Sequence, residues 1–278
     1  MKLKKYITSM LVAGIVLTST SSAFAMNNNS NNQDSIGVSK LSIQEIDDNK
    51  VNLKNSAPVE DKLKSIEEQE KEWKELEERV KAGDKDLMPT DQDLKEKGIT
   101  TKGGYPTRKG TILVTKAFGV TSLTGHAGIV YNSNTSIESF PKIFSPKGQD
   151  GVYSYPNDWN TRYSSGYGVN VRGTSQAQDN DAADYSYRRF QERKPYNWTF
   201  TDTENGAKFY CSQLVYKAFK VMNGVNINHN GGIVYPMDLV NSSNTYMIRQ
   251  KYLKLIIFYS LQLFLYLVLY VMGSHKIL

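Results

Sequence analysis

Thiol chemistry is confined to a single residue, Cys211, in a chain of 278. With no second cysteine an internal disulfide is excluded. Histidine is almost as scarce, with His126, His229 and His275 the full set. No His/Cys grouping stands at metal-ligand spacing, so neither a metal nor another cofactor is expected. Net charge is lacking as well. The formal +6 traces to Lys2, Lys4 and Lys5 at one end and Lys251, Lys254 and Lys276 at the other, and residues 26–249 are formally neutral. A neutral body has no electrostatic footprint for nucleic acid, so nucleic acid is not an expected partner. No internal repeat of useful length is present, which excludes the repeat architectures.

The two ends differ from the middle. Residues 1–25 read as a secretory signal: lysines at the start, an apolar run over Met10–Leu17, and the small-x-small site Ala23-Phe24-Ala25. The expected location is therefore secreted or extracellular, with the cell wall or a membrane as the place of association. An unpaired thiol outside the cell is exposed to oxidation, which favours a chemical role for it. Residues 26–58 are rich in Asn, Ser and Asp and poor in aromatics, the composition of a disordered linker. Residues 255–272 form a nearly unbroken apolar run, long enough to contact or span a bilayer. Arg249, Lys251 and Lys254 precede it, which opposes the positive-inside rule for an exported domain. A true anchor and an extension unrelated to the domain both stay open.

Between the ends, residues 59–104 read as a helical extension. Ile66, Trp73 and Val80 recur every seven residues, Leu63 and Leu76 lie beside them, and Gly83 is a stop. A second short helix runs from Thr90 to Gly98. Gly103-Gly104-Tyr105-Pro106 marks a boundary, and a domain over 105–250 follows, ahead of a tail over 251–278. Short β-rich runs come first: Thr111–Thr115, His126–Tyr131, Thr135–Phe140, Gly151–Tyr155 and Gly168–Arg172. Then come a polar helix over Ser175–Glu192, an aromatic stretch at Pro195–Phe200, and a helix headed by Cys211. Strands grouped apart from helices predict an α+β domain.

Cys211 stands at the head of an apolar stripe formed by Leu214, Val215, Ala218 and Met222, and Asn223-Gly224 ends that helix. In the first turn of a helix the free N–H groups and the dipole favour a thiolate. The same position also suits a plain buried hydrophobe. His229 falls in a turn-like loop. His126 opens a strand, and Asn132-Ser133-Asn134 is a turn before the returning strand. A three-residue loop pairs Ile129 with Ile137, sets His126 opposite Phe140, and puts Glu138 diagonal to His126 on the same face. A carboxylate there fixes the imidazole tautomer and stabilises its cation. A solvated polar hairpin face fits the spacing equally well.

The motifs carry a resemblance. Gly125-His126-Ala127-Gly128-Ile129-Val130-Tyr131 resembles the histidine strand of the NlpC/P60 superfamily, and Tyr210-Cys211-Ser212-Gln213-Leu214-Val215 resembles its nucleophile helix. Here the histidine precedes the cysteine. That order is similar to the circularly permuted YiiX/YebB-like (YaeF-like) branch, related to lecithin retinol acyltransferase. Lys109–Val114 resembles the segment before the histidine strand of that branch, and Pro195–Phe200 the aromatic stretch before its cysteine. The likeness spans about residues 105–248. It implies a papain-like α+β fold, with a small antiparallel sheet packed on the nucleophile-bearing helix. It implies Cys211 as nucleophile, His126 as base, Glu138 as the third member, and Tyr210 as an aromatic residue at the substrate site. The implied activity is amide hydrolysis in cell-wall peptide by a cysteine hydrolase. The alternatives are a lipid-directed amidase, thioesterase or acyltransferase acting on an acylated lipid, and a non-catalytic binding module on the same scaffold.

Overall fold

Ser65 starts the first helix through a reciprocal cap. Its hydroxyl accepts the Glu68 N–H at 3.2 Å, and the Glu68 carboxylate accepts the Ser65 N–H at 2.7 Å. The computed structural model describes residues 62–99, 105–120 and 122–251. The expected signal over 1–25, the linker over 26–58, the apolar run over 255–272 and His275 lie outside the described residues. Helix α1 spans Ile66–Lys81, followed by a 3₁₀ turn at Lys85–Leu87 and helix α2 over Asp91–Glu96, capped by Thr90. Strands β1 (Ile112–Val120), β2 (Leu123–Asn132), β3 (Thr135–Phe140) and β4 (Gly151–Pro156) come next. A single-turn helix α3 (Trp159–Arg162) and strand β5 (Gly166–Val171) precede the long helix α4 (Gln176–Gln191), capped by Ser175. Helix α5 (Cys211–Asn223), the turn α6 (Asp238–Asn241) and strand β6 (Thr245–Lys251) complete the domain.

The class is α+β, as the clustering of strand-like runs predicts. All six strands pair antiparallel, in the order β4-β3-β2-β1-β5-β6. Alternation along each strand divides the sheet into two faces. Ala127, Ile129 and Ile137 point to the main core, where they meet α4 and α5 residues such as Ala182, Tyr185, Leu214 and Phe219. Leu113 and Val130 point the other way, onto Trp159 and Tyr163. Helix α5 is buried over Cys211–Phe219, packed against α4 and β2, and Gly224 ends it in a left-handed conformation at φ 69°.

Three differences from the expected layout have local causes. Ile129 does pair with Ile137, but the turn is tighter than three residues. Asn132 pairs with Thr135, so the loop is Ser133-Asn134 and the extra residue is absorbed as a bulge beside Val130. Strand β2 begins three residues before His126 because its partner β1 runs on to Val120, through an irregularity between Thr115 and Gly119. Strand β6 is new, and it pairs with β5 at the sheet edge.

The extension packs on the domain. Gln69, Trp73, Leu76 and Val80 form the buried side of α1. Gln69 grips the β1–β2 turn, donating to the Ser122 carbonyl at 3.0 Å and accepting the Thr124 N–H at 2.8 Å. Farther along, Lys97 is fully buried. Its ammonium meets the Asp179 carboxylate at 2.7 Å, and Arg108 meets the same oxygen at 2.7 Å. Thr174 donates to the other Asp179 oxygen at 2.6 Å. Burial pulls the Lys97 ammonium below its ordinary value, against the pull of Asp179. Among the described residues no helix is long and apolar enough to cross a membrane.

Candidate active site

Two neighbouring strands and one helix end make the site. Glu138 sits opposite Gly128, one pleat from His126, so a glycine faces the carboxylate stem. A Cβ at Gly128 would stand 2.7 Å from Glu138 Cγ and 3.0 Å from the Trp159 ring. Gly125, just before the histidine, takes φ +94°, and a Cβ there would stand 2.7 Å from Trp73. The tryptophan of α1 thus wedges the backbone that carries His126.

His126 Nε2 lies 2.9 Å from Glu138 Oε2. The imidazole and the Cys211 thiol also act on each other's charge, each favouring the ionised form of the other. With Nε2 on the carboxylate, Nδ1 is the nitrogen left for sulfur. The three residues therefore form a line from thiol through imidazole to carboxylate. Cys211 is 3 % exposed and His126 1 %, so the reacting atoms lie just beneath the surface. The imidazole stacks on Phe140 at 4.0 Å and on Trp159 at 5.5 Å, with Phe118 edge-on at 5.3 Å. Aromatic faces above and below suit a cationic ring.

The charges support one another. Burial pushes the Cys211 thiol up. His126 first, and then the Ala127 N–H, outweigh it and hold the thiol below its ordinary value. Burial alone pulls His126 down, but Cys211 and Glu138 together raise it. Glu138, fully buried, is held down at about 2 against its own burial, first by His126 and then by Arg162. A thiolate–imidazolium pair is the protonation state these shifts favour.

Glu138 is held by five hydrogen bonds. Oε1 accepts from the Ser136 hydroxyl at 2.5 Å, Trp159 Nε1 at 2.9 Å and Arg162 at 2.6 Å. Oε2 accepts from His126 and, at 3.2 Å, from Arg162. Ser136, Trp159 and Arg162 were not expected from the sequence. The Ser-x-Glu spacing on a strand, which puts both side chains on one face, is the only local signal for any of them.

Tyr210 is placed differently from its expected role at the substrate. Its side chain is fully buried, donating to the Phe200 carbonyl at 3.2 Å and accepting the Val234 N–H at 3.0 Å. As the residue before the helix it turns into the core while Cys211 turns toward the imidazole. It offers no surface to a substrate and acts as a pillar under the helix start. Ser212, one residue on, anchors the same segment by donating to the Val234 carbonyl at 2.6 Å. His229 is exposed in its loop, away from the triad. Among the described residues no three His, Cys, Asp or Glu side chains converge as metal ligands.

No family model matches the chain. A curated relative does: the uncharacterized protein YycO of Bacillus subtilis is 31 % identical over 180 residues, which cover 60 % of this chain and 69 % of YycO. The chain belongs to the YycO family. Among solved structures it is similar to the metalloprotein yiiX from Escherichia coli O157:H7, at a TM-score of 0.41 and 15 % identity, over 52 % of this chain and 98 % of that one. For a YycO-family chain the site just described is the constellation that calls for a function.

Proposed function

We propose that this YycO-family chain is an exported cysteine hydrolase that cleaves an amide bond, with cell-wall peptide as its substrate class. The observation that carries the proposal is the buried line Cys211–His126–Glu138, with the thiol lowered and the imidazole raised. A structural cysteine in the same core needs no imidazole acting on its charge and no carboxylate behind it.

The chemistry follows from the protonation state. The Cys211 thiolate adds to the carbonyl carbon, and the developing oxyanion is received by N–H groups at the start of α5, which have no intrahelical acceptor. The His126 imidazolium gives its proton to the departing amine, and an acyl-enzyme thioester remains. Neutral His126 then takes a proton from water, hydroxide displaces the thiolate, and the acid product leaves. Glu138 stays ionised throughout and fixes the ring.

The test is Cys211 alkylation by iodoacetamide against pH, followed by mass spectrometry. Wild type labels rapidly at pH 6. His126→Ala shifts labelling toward the free-thiol value of about 8.5. Cys211→Ala abolishes turnover and keeps the fold. Labelling that ignores His126 overturns the hydrolase and leaves the binding module. Incubation with muropeptides and with acylated lipids then separates the cell-wall substrate from the lipid-directed alternative.

A further inference from the structure

Glu138 is shared by two cations. His126 Nε2 and an Arg162 nitrogen both bond Oε2, and a second Arg162 nitrogen bonds Oε1 at 2.6 Å. Arg162 is itself fixed. Its Nε donates to Asp158 at 2.6 Å and a terminal nitrogen to the Pro156 carbonyl at 3.0 Å. The guanidinium also lies over the rings of Tyr155, Trp159 and Tyr163 at 5.3 to 5.8 Å. Orientation of the carboxylate does not need this charge, because Ser136 and Trp159 already hold Oε1 with neutral donors. A positive charge has been added where neutral donors were enough.

We infer that Arg162 is a positioning residue that tunes the acid strength of His126 by drawing carboxylate charge away from it. This rests on the Cys211–His126–Glu138 mechanism proposed above. A buried carboxylate facing only an imidazolium binds that cation tightly and makes it a reluctant acid. A guanidinium on the same carboxylate weakens that hold, so the imidazolium yields its proton to the leaving group more readily. The charged and titratable groups facing Glu138 are His126 from β2, Tyr155 from β4, and Arg162 and Tyr163 from α3 and the residue after it. Asp158 faces Arg162, and Cys211 faces His126.

Iodoacetate alkylation of Cys211 in the full chain reads this out. The reagent is an anion, so its rate needs both the thiolate and the neighbouring imidazolium, and the pH profile is a bell whose alkaline limb reports His126. Arg162→Gln moves that limb up by about one pH unit. Arg162→Lys, which keeps the charge, leaves it near the wild-type position. Asp158→Asn removes the anion that competes for the guanidinium and moves the limb down. Asp158 has a side chain 43 % exposed, so this variant decides the matter even where Arg162→Gln does not fold. An alkaline limb unmoved in folded Arg162→Gln, or unmoved in Asp158→Asn, overturns the inference. A wild-type profile with no bell at all overturns the underlying mechanism instead.

Discussion

Glu138→Gln is the substitution whose consequences are most closely bounded by the structure. The carboxylate accepts five hydrogen bonds and donates none. An amide of the same shape has one oxygen and one NH₂. The Oε1 position faces three donors, so the amide oxygen belongs there, and the NH₂ must face His126. A neutral imidazole can accept that N–H only through Nε2, which forces its proton onto Nδ1, toward sulfur. In that tautomer Nδ1 cannot receive the thiol proton. Arg162 also loses its buried counter-charge. Breaking such a pair from one side costs about 3 to 5 kcal/mol. The titration of Glu138 gives a similar size. A carboxyl lowered from 4.5 to about 2 on folding contributes roughly 3 kcal/mol. Because the folded value is the lower one, that stability is present above pH 4.5 and is lost as pH falls toward 2. Two assays follow. Calorimetry at pH 7 should show Tm lowered by about 10 °C. Iodoacetamide labelling should shift from the acid side of neutrality toward about pH 8.5. A folded Glu138→Gln protein whose thiol still labels rapidly at pH 6 refutes the coupling of Glu138 to Cys211 through His126.

Two further outcomes concern stability away from the triad. Asp238 is fully buried, and burial pushes its carboxyl up to about 7, against hydrogen bonds from the Tyr235 N–H at 2.9 Å and Asn230 at 2.6 Å. The folded value lies above the unfolded 3.8, so its stabilising contribution is complete below pH 3.8 and is lost as pH rises through 7. Asp238→Asn should therefore match wild type in Tm near pH 4 and exceed it at pH 8, and a difference that does not grow over that interval counts against the assignment. Lys97→Ala leaves Asp179 with one cation in place of two, and Tm should fall by an amount corresponding to about 3 kcal/mol. An unchanged melting profile would show that the extension is not fastened through this residue.

Much of the scaffold was legible in the sequence because its signals are periodic. The stripe of Cys211, Leu214, Val215 and Ala218 is a helix face, and the Ile129–Ile137 match set the strand register that puts Glu138 on the face of His126. The turn was not legible, because Asn132 carries strand and turn character alike and a bulge can absorb one residue on either side. Strand β6 was hidden because its apolar part, Tyr246–Ile248, is only three residues long before Arg249, Gln250 and Lys251 interrupt it. Arg162 and Trp159 lie more than twenty residues from Glu138, on a helix of one turn. Nothing local separates them from ordinary surface residues, and only the folded sheet brings them under the carboxylate. Tyr210 misled for the opposite reason. Neighbours in sequence at a helix start diverge by about 100°, so adjacency to the nucleophile says nothing about which way a side chain turns.

The order of the strands bears on when the thiol becomes reactive. The hairpin of β2 and β3 that brings His126 beside Glu138 is local in the chain, whereas Cys211 follows it only after β4, α3, β5 and α4. Contacts of such long range carry a larger loop-closure cost than those of a hairpin. On the mechanism proposed above, the sulfur keeps the sluggishness of an ordinary free thiol until α5 docks beside the β2–β3 hairpin. On that mechanism, thiol reactivity would report that α5 has docked beside the hairpin, and a misassembled chain would be chemically quiet.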